Sequence, residues 1–206
     1  MLKRTKGRLL LAMLVITGLA GTLSDTALNK KERKFAVNHL KNSKSSLLKN
    51  TADLTEAQLN FRPAPDKWTI KECVTHIALA ESTLWKLLET SMSQPATPER
   101  RKEATFSDQQ LIEMIEDRSK KATAPEVLNP KKSAWKNTAE ALAAFKESRN
   151  AHLKYVRTTT EDLRNHIIEL SFGKVDGYQF LLFVSAHANR HIEQIKDIRD
   201  EPNFPR

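Results

Sequence analysis

The sequence predicts an all-α protein, an antiparallel four-helix bundle. Apolar residues recur at three- and four-residue steps in four long segments, which is the spacing of one buried helix face. No segment alternates apolar and polar residues for long enough to predict a strand. Eight prolines fall in pairs that separate or follow these segments, and proline ends a helix because it lacks an amide hydrogen and crowds the preceding turn. Four long helices joined by connections of unequal length are typical of a bundle with a long crossover.

The first two long helices are predicted from their apolar spacing and their caps. The first covers about Lys30–Asn50, and a further helical turn follows around Leu54–Leu59. The second begins at a capping box formed by Thr69 and Glu72, in which each side chain satisfies an otherwise unpaired backbone amide. It continues to about Ser91.

The remaining helices follow a long connection. A shorter helix is predicted over Ser107–Lys121, inside the crossover between the second and third long helices. The third long helix is predicted over Asn137 to about Tyr155, with Asn137 and Glu140 as its cap, and the last over Gly177 to about Arg199. The shorter helix therefore belongs to the crossover rather than to the bundle itself.

The N-terminus has the pattern of a secretory signal peptide. Four basic residues precede an uncharged run of 12 residues from Leu9 to Ala20. This run is short for a membrane-spanning helix, which needs about 20 apolar residues. We therefore predict export to the periplasm or the extracellular medium. The run can be extended through Leu23, so an uncleaved anchor in the inner membrane stays open as an alternative, and no other integral membrane segment is predicted.

These patterns divide the chain into four parts. They are a signal peptide over residues 1–20, a linker over 21–29, the helical bundle over 30–199 and a C-terminal tail over 200–206. With 39% hydrophobic and 29% charged residues, the chain can bury a core, which argues against a disordered or a polytopic membrane protein. Only five glycines are present, and three of them lie within the first 21 residues, which argues against barrels and phosphate-binding glycine loops.

The charge of the chain does not predict a nucleic-acid partner. The formal net charge is +9, but removal of residues 1–20, which hold four basic and no acidic residues, lowers it to +5. A basic stretch over residues 30–34 is explained as well by a solvated linker or first helical turn as by contact with anionic lipid or nucleic acid. The expected partner is an unidentified small-molecule substrate, and a homodimer stays open.

Three histidines lie on apolar helix faces. The stripe of the last helix contains Phe180, Val184, His187, His191, Ile195 and Ile198. Because residues four apart have neighbouring side chains, His187 and His191 can bind the same ion. His76 lies on the apolar stripe of the second helix and supplies a third imidazole. Three protein ligands leave a position for water, as in catalytic metal sites, although a hydrogen-bonded core histidine is the commoner explanation of such a pattern.

Other residues with chemical potential carry weaker signals. Three histidines without such a partner are predicted at the surface or at an interface: His39, His152 and His166. Cys73 is the only cysteine, so no intrachain disulfide can form, and a small buried hydrophobe is favoured over a nucleophile or a soft ligand. Glu81, beside the His76 stripe, is the nearest candidate for a general base, with an exposed helix residue as the alternative.

Two separated segments resemble the DinB/YfiT-like superfamily. The first is LTEAQLNFRPAPDKWTIKE, residues 54–72, which leads into the second helix and is followed by His76. The second is HANRHIEQI, residues 187–195, which is similar to that family's HxxxH helix with a trailing glutamine. The resemblance extends over about residues 30–199.

The resemblance implies an up-down-down-up four-helix bundle that binds a divalent metal ion, often zinc or nickel. His76, His187 and His191 match the three ligand positions of the family. Some members transfer low-molecular-weight thiols such as bacillithiol or mycothiol, and some are thought to be hydrolases. Because this chain has a predicted signal peptide, cytosolic thiols would not be available to it. Hydrolysis is therefore favoured over thiol transfer. A non-catalytic envelope module with a vestigial or structural metal is the alternative.

Overall fold

The computed structural model describes residues 27–119 and 123–206. Its α-helices are α1 (Lys30–Thr51), α2 (Glu56–Asn60), α3 (Ile70–Met92), α4 (Asp108–Glu116), α5 (Thr138–Thr158) and α6 (Gly177–Asp200). Strands β1 (Ile167–Leu170) and β2 (Gly173–Asp176) form a hairpin ahead of α6. Short 3₁₀ turns occupy Pro98–Glu103, Glu126–Leu128, Pro130–Lys132 and Leu163–Asn165. The predicted signal peptide and most of the predicted linker lie outside the described residues.

The long helices begin where the sequence supplies caps. Thr69 and Glu72 form the predicted capping box at the start of α3. The side chain of Asn137 accepts a hydrogen bond from the amide of Glu140 at the start of α5, as predicted. Because a cap pairs amides that the helix itself leaves open, it sets the residue at which each helix starts.

α1 and α6 are parallel neighbours. Near the beginning of both helices, the Tyr178 hydroxyl donates to the Glu32 carbonyl at 3.0 Å. Near the end of both, Arg199 donates to the Asn50 carbonyl at 3.0 Å. α3 and α5 are also parallel neighbours, since they pack together with their residue numbers increasing in the same direction.

The two remaining neighbour pairs are antiparallel. The start of α1 contacts the end of α5, where Arg33 donates to the Val156 carbonyl at 2.6 Å. The early part of α3 faces the middle and later part of α6, where His76 lies against His187 and His191. α1, α3, α5 and α6 therefore form the up-down-down-up bundle that the resemblance implies, with α1 and α6 opposite in direction to α3 and α5.

The bundle core consists of two apolar clusters with a polar layer between them. One cluster contains Leu40, Leu88 and Leu153, and the other contains Leu47 and Phe145. Among the described residues no helix is both long and apolar enough to cross a lipid bilayer. The histidines of interest lie beside the second cluster, which also contains Ile192.

The hairpin corrects the expectation that the chain contains no strand. β1 and β2 pair from Ile167 with Asp176 to Leu170 with Gly173. Each strand has four residues, which is too short to produce a recognisable alternation in the sequence. Gly173 closes the turn with φ +142°, and a side chain there would also meet the Phe106 ring at 2.9 Å.

The crossover helix is shorter than predicted. α4 ends at Glu116, whereas the sequence predicts a helix as far as Lys121, a residue outside the described part of the chain. The Asp117 backbone leaves the helical region, and the side chain of Arg190 in α6 donates to the carbonyls of Ile115 and Asp117. The Asp117 carboxylate also accepts a hydrogen bond from the Ser119 amide at 2.9 Å, so a local turn and the contact with Arg190 together mark the end of this helix.

Candidate metal centre

Three imidazoles from α3 and α6 converge on one point. The Nε2 atoms of His76 and His187 lie 3.2 Å apart. One ligand nitrogen from each of His76, His187 and His191 lies within 4.8 Å of the other two. His187 and His191 occupy consecutive turns of one helix, while the antiparallel contact of α3 with α6 brings His76 opposite them. The structure thus assembles the three residues that the sequence singled out.

The spacing between His76 and His187 fits a bound metal ion, and the His191 ligand nitrogen lies within 4.8 Å of both. Two nitrogens bound to one zinc ion at about 2.0–2.1 Å and at a tetrahedral angle lie about 3.3 Å apart. The 3.2 Å between His76 and His187 agrees with this value. Imidazole nitrogen is a preferred ligand of zinc, nickel and copper, so the donor set suits a divalent cation of this kind.

Hydrogen bonds orient two of the imidazoles. Nδ1 of His76 is 2.8 Å from the Leu128 carbonyl, which can only accept, so this nitrogen carries the proton and Nε2 keeps its lone pair. Nδ1 of His191 is 3.1 Å from Oε1 of Gln194, which leaves Nε2 of His191 for a ligand in the same way. Such outer contacts are typical of metal-binding histidines because they fix the tautomer and the ring direction.

Burial keeps the cluster neutral. Desolvation lowers the pKa of His76, and desolvation together with the neighbouring His76 lowers the pKa of His187 to about 3. The pKa of His191 falls well below its ordinary value, first through burial and then through the two neighbouring imidazoles. Neutral imidazole is the form that binds metal, so protons compete weakly for this site at neutral pH.

Aromatic rings cover part of the centre. The Trp68 ring lies 4.8 Å from His76 and stacks on His191 at 5.6 Å between centroids. Phe183 lies 6.1 Å from His187. His76 is 1% exposed, whereas His187 and His191 are half-buried, so the partly exposed side of the cluster is the α6 side. Trp68 therefore lines one side of the centre.

Within residues 27–119 and 123–206, the group of side chains that could share a metal ion consists of these three histidines. Cys73 is buried, and desolvation raises the pKa of its thiol, as expected for a small core residue rather than a nucleophile. His39 packs near Glu116 at the end of α4, with 3.8 Å between the imidazole and the carboxylate. Neither residue joins the cluster, so an ion held there would have these three histidines as its His, Cys, Asp or Glu ligands within the described residues.

Glu81 lies in the buried polar layer of the bundle. It is 1% exposed and forms a two-pronged ion pair with Arg149, from Nε to Oε1 at 2.5 Å and from Nη2 to Oε2 at 2.6 Å. Burial alone would raise its pKa, but Arg149 and His152 hold the pKa of the carboxyl down to about 2. A carboxylate with so low a pKa is a weak base, and the role of Glu81 as general base stays a prediction.

Sequence reasoning missed the rest of this layer. Arg149 also donates to the Leu40 carbonyl at 3.1 Å and to the Ser43 hydroxyl at 2.5 Å, and Ser43 is 2.9 Å from the Ser185 hydroxyl. The layer therefore links α1, α3, α5 and α6. A charged residue in a helix is normally exposed, so no signal in the sequence distinguishes Arg149 from its surface neighbours.

The other histidines were predicted at the surface or at an interface, but two of them are buried inside the protein. His152 is 2% exposed, bonds Glu81 through Nδ1 at 2.7 Å and stacks on Trp85. His166 is buried and contacts the Gln94 carbonyl at 3.0 Å. The contribution of Leu128 to the centre was also missed, because a backbone carbonyl leaves no mark in a side-chain pattern.

Comparisons with known proteins agree on one family. The profile of the DinB superfamily matches residues 39–195. YuaE of Bacillus subtilis (strain 168), an uncharacterised protein, is 24% identical over 152 residues, which are 72% of this chain and 87% of YuaE. YfiT from Bacillus subtilis, described as a probable metal-dependent hydrolase with an unusual four-helix bundle topology, matches with a TM-score of 0.59 at 15% identity. That match covers 87% of this chain and 92% of YfiT, and it shows a common fold.

Proposed function

This chain belongs to the DinB superfamily, and we propose that it is a metal-dependent hydrolase that holds one divalent cation, zinc or nickel, through His76, His187 and His191. The observation that carries the proposal is the convergence of three neutral imidazoles, two of which belong to partly exposed residues of α6. The description of YfiT as a probable metal-dependent hydrolase supports the same reaction class.

The residues around the centre have separate tasks. A divalent ion held by three imidazoles acidifies a bound water and polarises a substrate carbonyl or phosphoryl group. The Leu128 carbonyl and Gln194 keep the ligand nitrogens pointed at the shared site. Trp68 shields one side of the centre from water and leaves the half-buried face of α6 for a substrate.

Hydrolysis is favoured over thiol transfer. The predicted export would remove the protein from the cytosolic thiols that transferases of this family use. Within the described chain, Cys73 is buried and its thiol pKa is raised, so the protein does not itself supply a reactive thiol at this site.

A metal-dependent activity screen tests the proposal. The purified protein, loaded with zinc or nickel, is assayed on chromogenic carboxylic esters, phosphomonoesters and amides, with a chelated sample beside it. We expect hydrolysis of one class, lost on chelation and in His191→Ala. His39→Ala, which removes an imidazole outside the cluster, is the matched control and should retain the activity. Hydrolysis that survives both chelation and His191→Ala would contradict the proposal.

The non-catalytic alternative has its own outcome. If each chain binds a metal ion but no substrate class is turned over and the ion has no exchangeable water, the protein is an envelope binding module. Water exchange is measured by proton relaxation of the manganese-substituted or nickel-substituted protein. A catalytic site predicts rapid exchange with bulk water, because an open position must admit a ligand.

The protein is further proposed to be exported and to act on a small molecule outside the cytoplasm. The support is the uncharged run from Leu9 to Ala20 behind four basic residues. Cell fractionation with N-terminal sequencing tests this part. An intact Met1 in the cytosolic fraction would overturn it without affecting the metal site. Light scattering of the same sample determines whether the chain is a monomer or the homodimer that the sequence leaves open.

A further inference from the structure

A second site candidate lies on the opposite side of the bundle from the histidine cluster. α1 and α5 are neighbours, as are α3 and α6, and the cluster lies between the second pair. A groove of about 530 Å³ runs between α1 and α5. Its volume falls within the range of about 300–1,000 Å³ that small-molecule sites occupy.

The groove is strongly cationic. Lys41 and Lys44 from α1 and Arg157 from α5 line it, and none of its lining residues is acidic. Lys44 Nζ donates to the Asn150 amide oxygen at 2.6 Å, which holds one ammonium between the two walls. In the described part of the chain, neither Lys41 nor Arg157 has an ion-pair or hydrogen-bond partner. Three like charges on one groove repel each other, and an anion between them removes that repulsion.

The groove also has an apolar surface. Leu48 of α1 and Leu153 of α5 line it together with the cations. A ligand that matches both surfaces carries a compact anion at one end and a short apolar group at the other. Inorganic anions use only the first surface, and neutral apolar molecules use only the second.

We propose that this groove binds a soluble organic phosphate, a phosphomonoester with a short apolar group. A phosphate monoester carries close to two negative charges and presents three acceptor oxygens, which suits two ammonium groups and a guanidinium. A carboxylate carries one charge and two oxygens, so it leaves a larger cationic excess in the groove than a phosphomonoester does. The groove is remote from the metal centre, so anion binding there does not depend on the proposed hydrolase activity.

The test uses n-butyl phosphate as the probe at about pH 7.5, where a phosphomonoester is close to a dianion. Binding to the full chain is followed by two-dimensional NMR and by calorimetry, with pentanoate and inorganic phosphate as comparison ligands. The double variant Lys41→Glu/Arg157→Glu reverses the two unpaired cations. Lys86→Glu/Lys102→Glu is the matched control, because it changes the net charge equally with two exposed lysines outside the groove.

The expected result is saturable binding of butyl phosphate, tighter than that of pentanoate or inorganic phosphate, with shifts centred on α1 and α5. The groove variant should bind about tenfold more weakly or worse, since two charge-assisted contacts are replaced by repulsion. The control should stay within about twofold of the wild type. His187→Ala, which disrupts the metal centre, should bind butyl phosphate as the wild type does, and this separates the groove from phosphate binding at a metal ion.

Several results would overturn the inference. They are the absence of saturation, an equal loss in both double variants, or a loss in His187→Ala. Vesicles of phosphatidylglycerol and of phosphatidylcholine provide the last arm. Binding confined to phosphatidylglycerol vesicles, without binding of free butyl phosphate, would identify a lipid surface as the ligand and refute a soluble one. Thermal unfolding followed by circular dichroism verifies that every variant is folded.

Discussion

Replacement of Arg149 by methionine tests the buried polar layer. Arg149 is fully buried, and its guanidinium donates one hydrogen bond to each oxygen of the Glu81 carboxylate. In Arg149→Met the carboxylate remains inside the bundle, with His152 as its remaining polar contact. Removal of one partner of a buried ion pair costs about 3–5 kcal/mol, because the other charge is left without compensation.

The expected loss is a large share of the total stability. Domains of this kind unfold with about 5–15 kcal/mol, so Arg149→Met should lower the thermal midpoint by roughly 10 °C or more. The Ser43 hydroxyl and the Leu40 carbonyl also lose the hydrogen bonds that Arg149 donates to them, which adds to the effect. The free energy of unfolding is measured by urea titration of the metal-free protein, so that metal affinity does not enter.

A double variant distinguishes an ion pair from a simple packing contact. In Glu81→Leu/Arg149→Met both charges are gone, so this protein should be more stable than Arg149→Met alone. The reasoning is refuted if Arg149→Met stays within about 1 kcal/mol of the wild type, or if the double variant loses the sum of the two single losses. The same variants also test the base role of Glu81. If Glu81 only pairs with Arg149, its replacement lowers the stability of the protein but not the turnover of the fraction that is folded.

Three further outcomes are expected. The metal-free protein should lose stability as the pH falls from 6.5 toward 3. The pKa of His187 is about 3 in the folded protein and 6.5 in the unfolded chain, so the unfolded chain takes up the proton first. Urea midpoints that do not change over this range would contradict this prediction. Gln194→Leu should weaken metal affinity about 10- to 100-fold, measured by competition with a chelating dye. Replacement of its exposed neighbour, Glu193→Leu, should leave the affinity unchanged. Equal affinities of the two variants would refute the orienting role of Gln194. Cys73 should resist a thiol-specific dye in the native protein and react after unfolding, and rapid native labelling would contradict its burial.

The parts of the fold that follow from local chemistry were predictable. The start of α3 follows from Thr69 and Glu72, because a capping box is formed by residues three apart in the chain. His187 and His191 share a face for the same local reason, the period of the helix. Their convergence with His76 depends on helix pairing, and it was the family resemblance that made it predictable.

The parts that depend on contacts between distant segments were not predictable in the same way. The sequence alone predicts an exposed Arg149, because nothing in its own helix indicates the contact with Glu81 of α3. The end of α4 combines a local turn at Asp117 with the contact of Arg190 from α6, and only the first of these is a feature of its own segment. The β1–β2 hairpin is too short for periodicity to show. For Arg149 a tertiary contact outweighs the local preference of the segment.

The metal content of the protein tests the central claim most directly. The purified chain is reconstituted with zinc or nickel at neutral pH, dialysed and analysed by mass spectrometry for metal and protein together. We predict one metal ion per chain, and near-zero retention in His76→Ala, His187→Ala and His191→Ala, with full retention in His166→Ala. A wild-type chain that emerges metal-free, or histidine variants that keep their metal, would contradict the account.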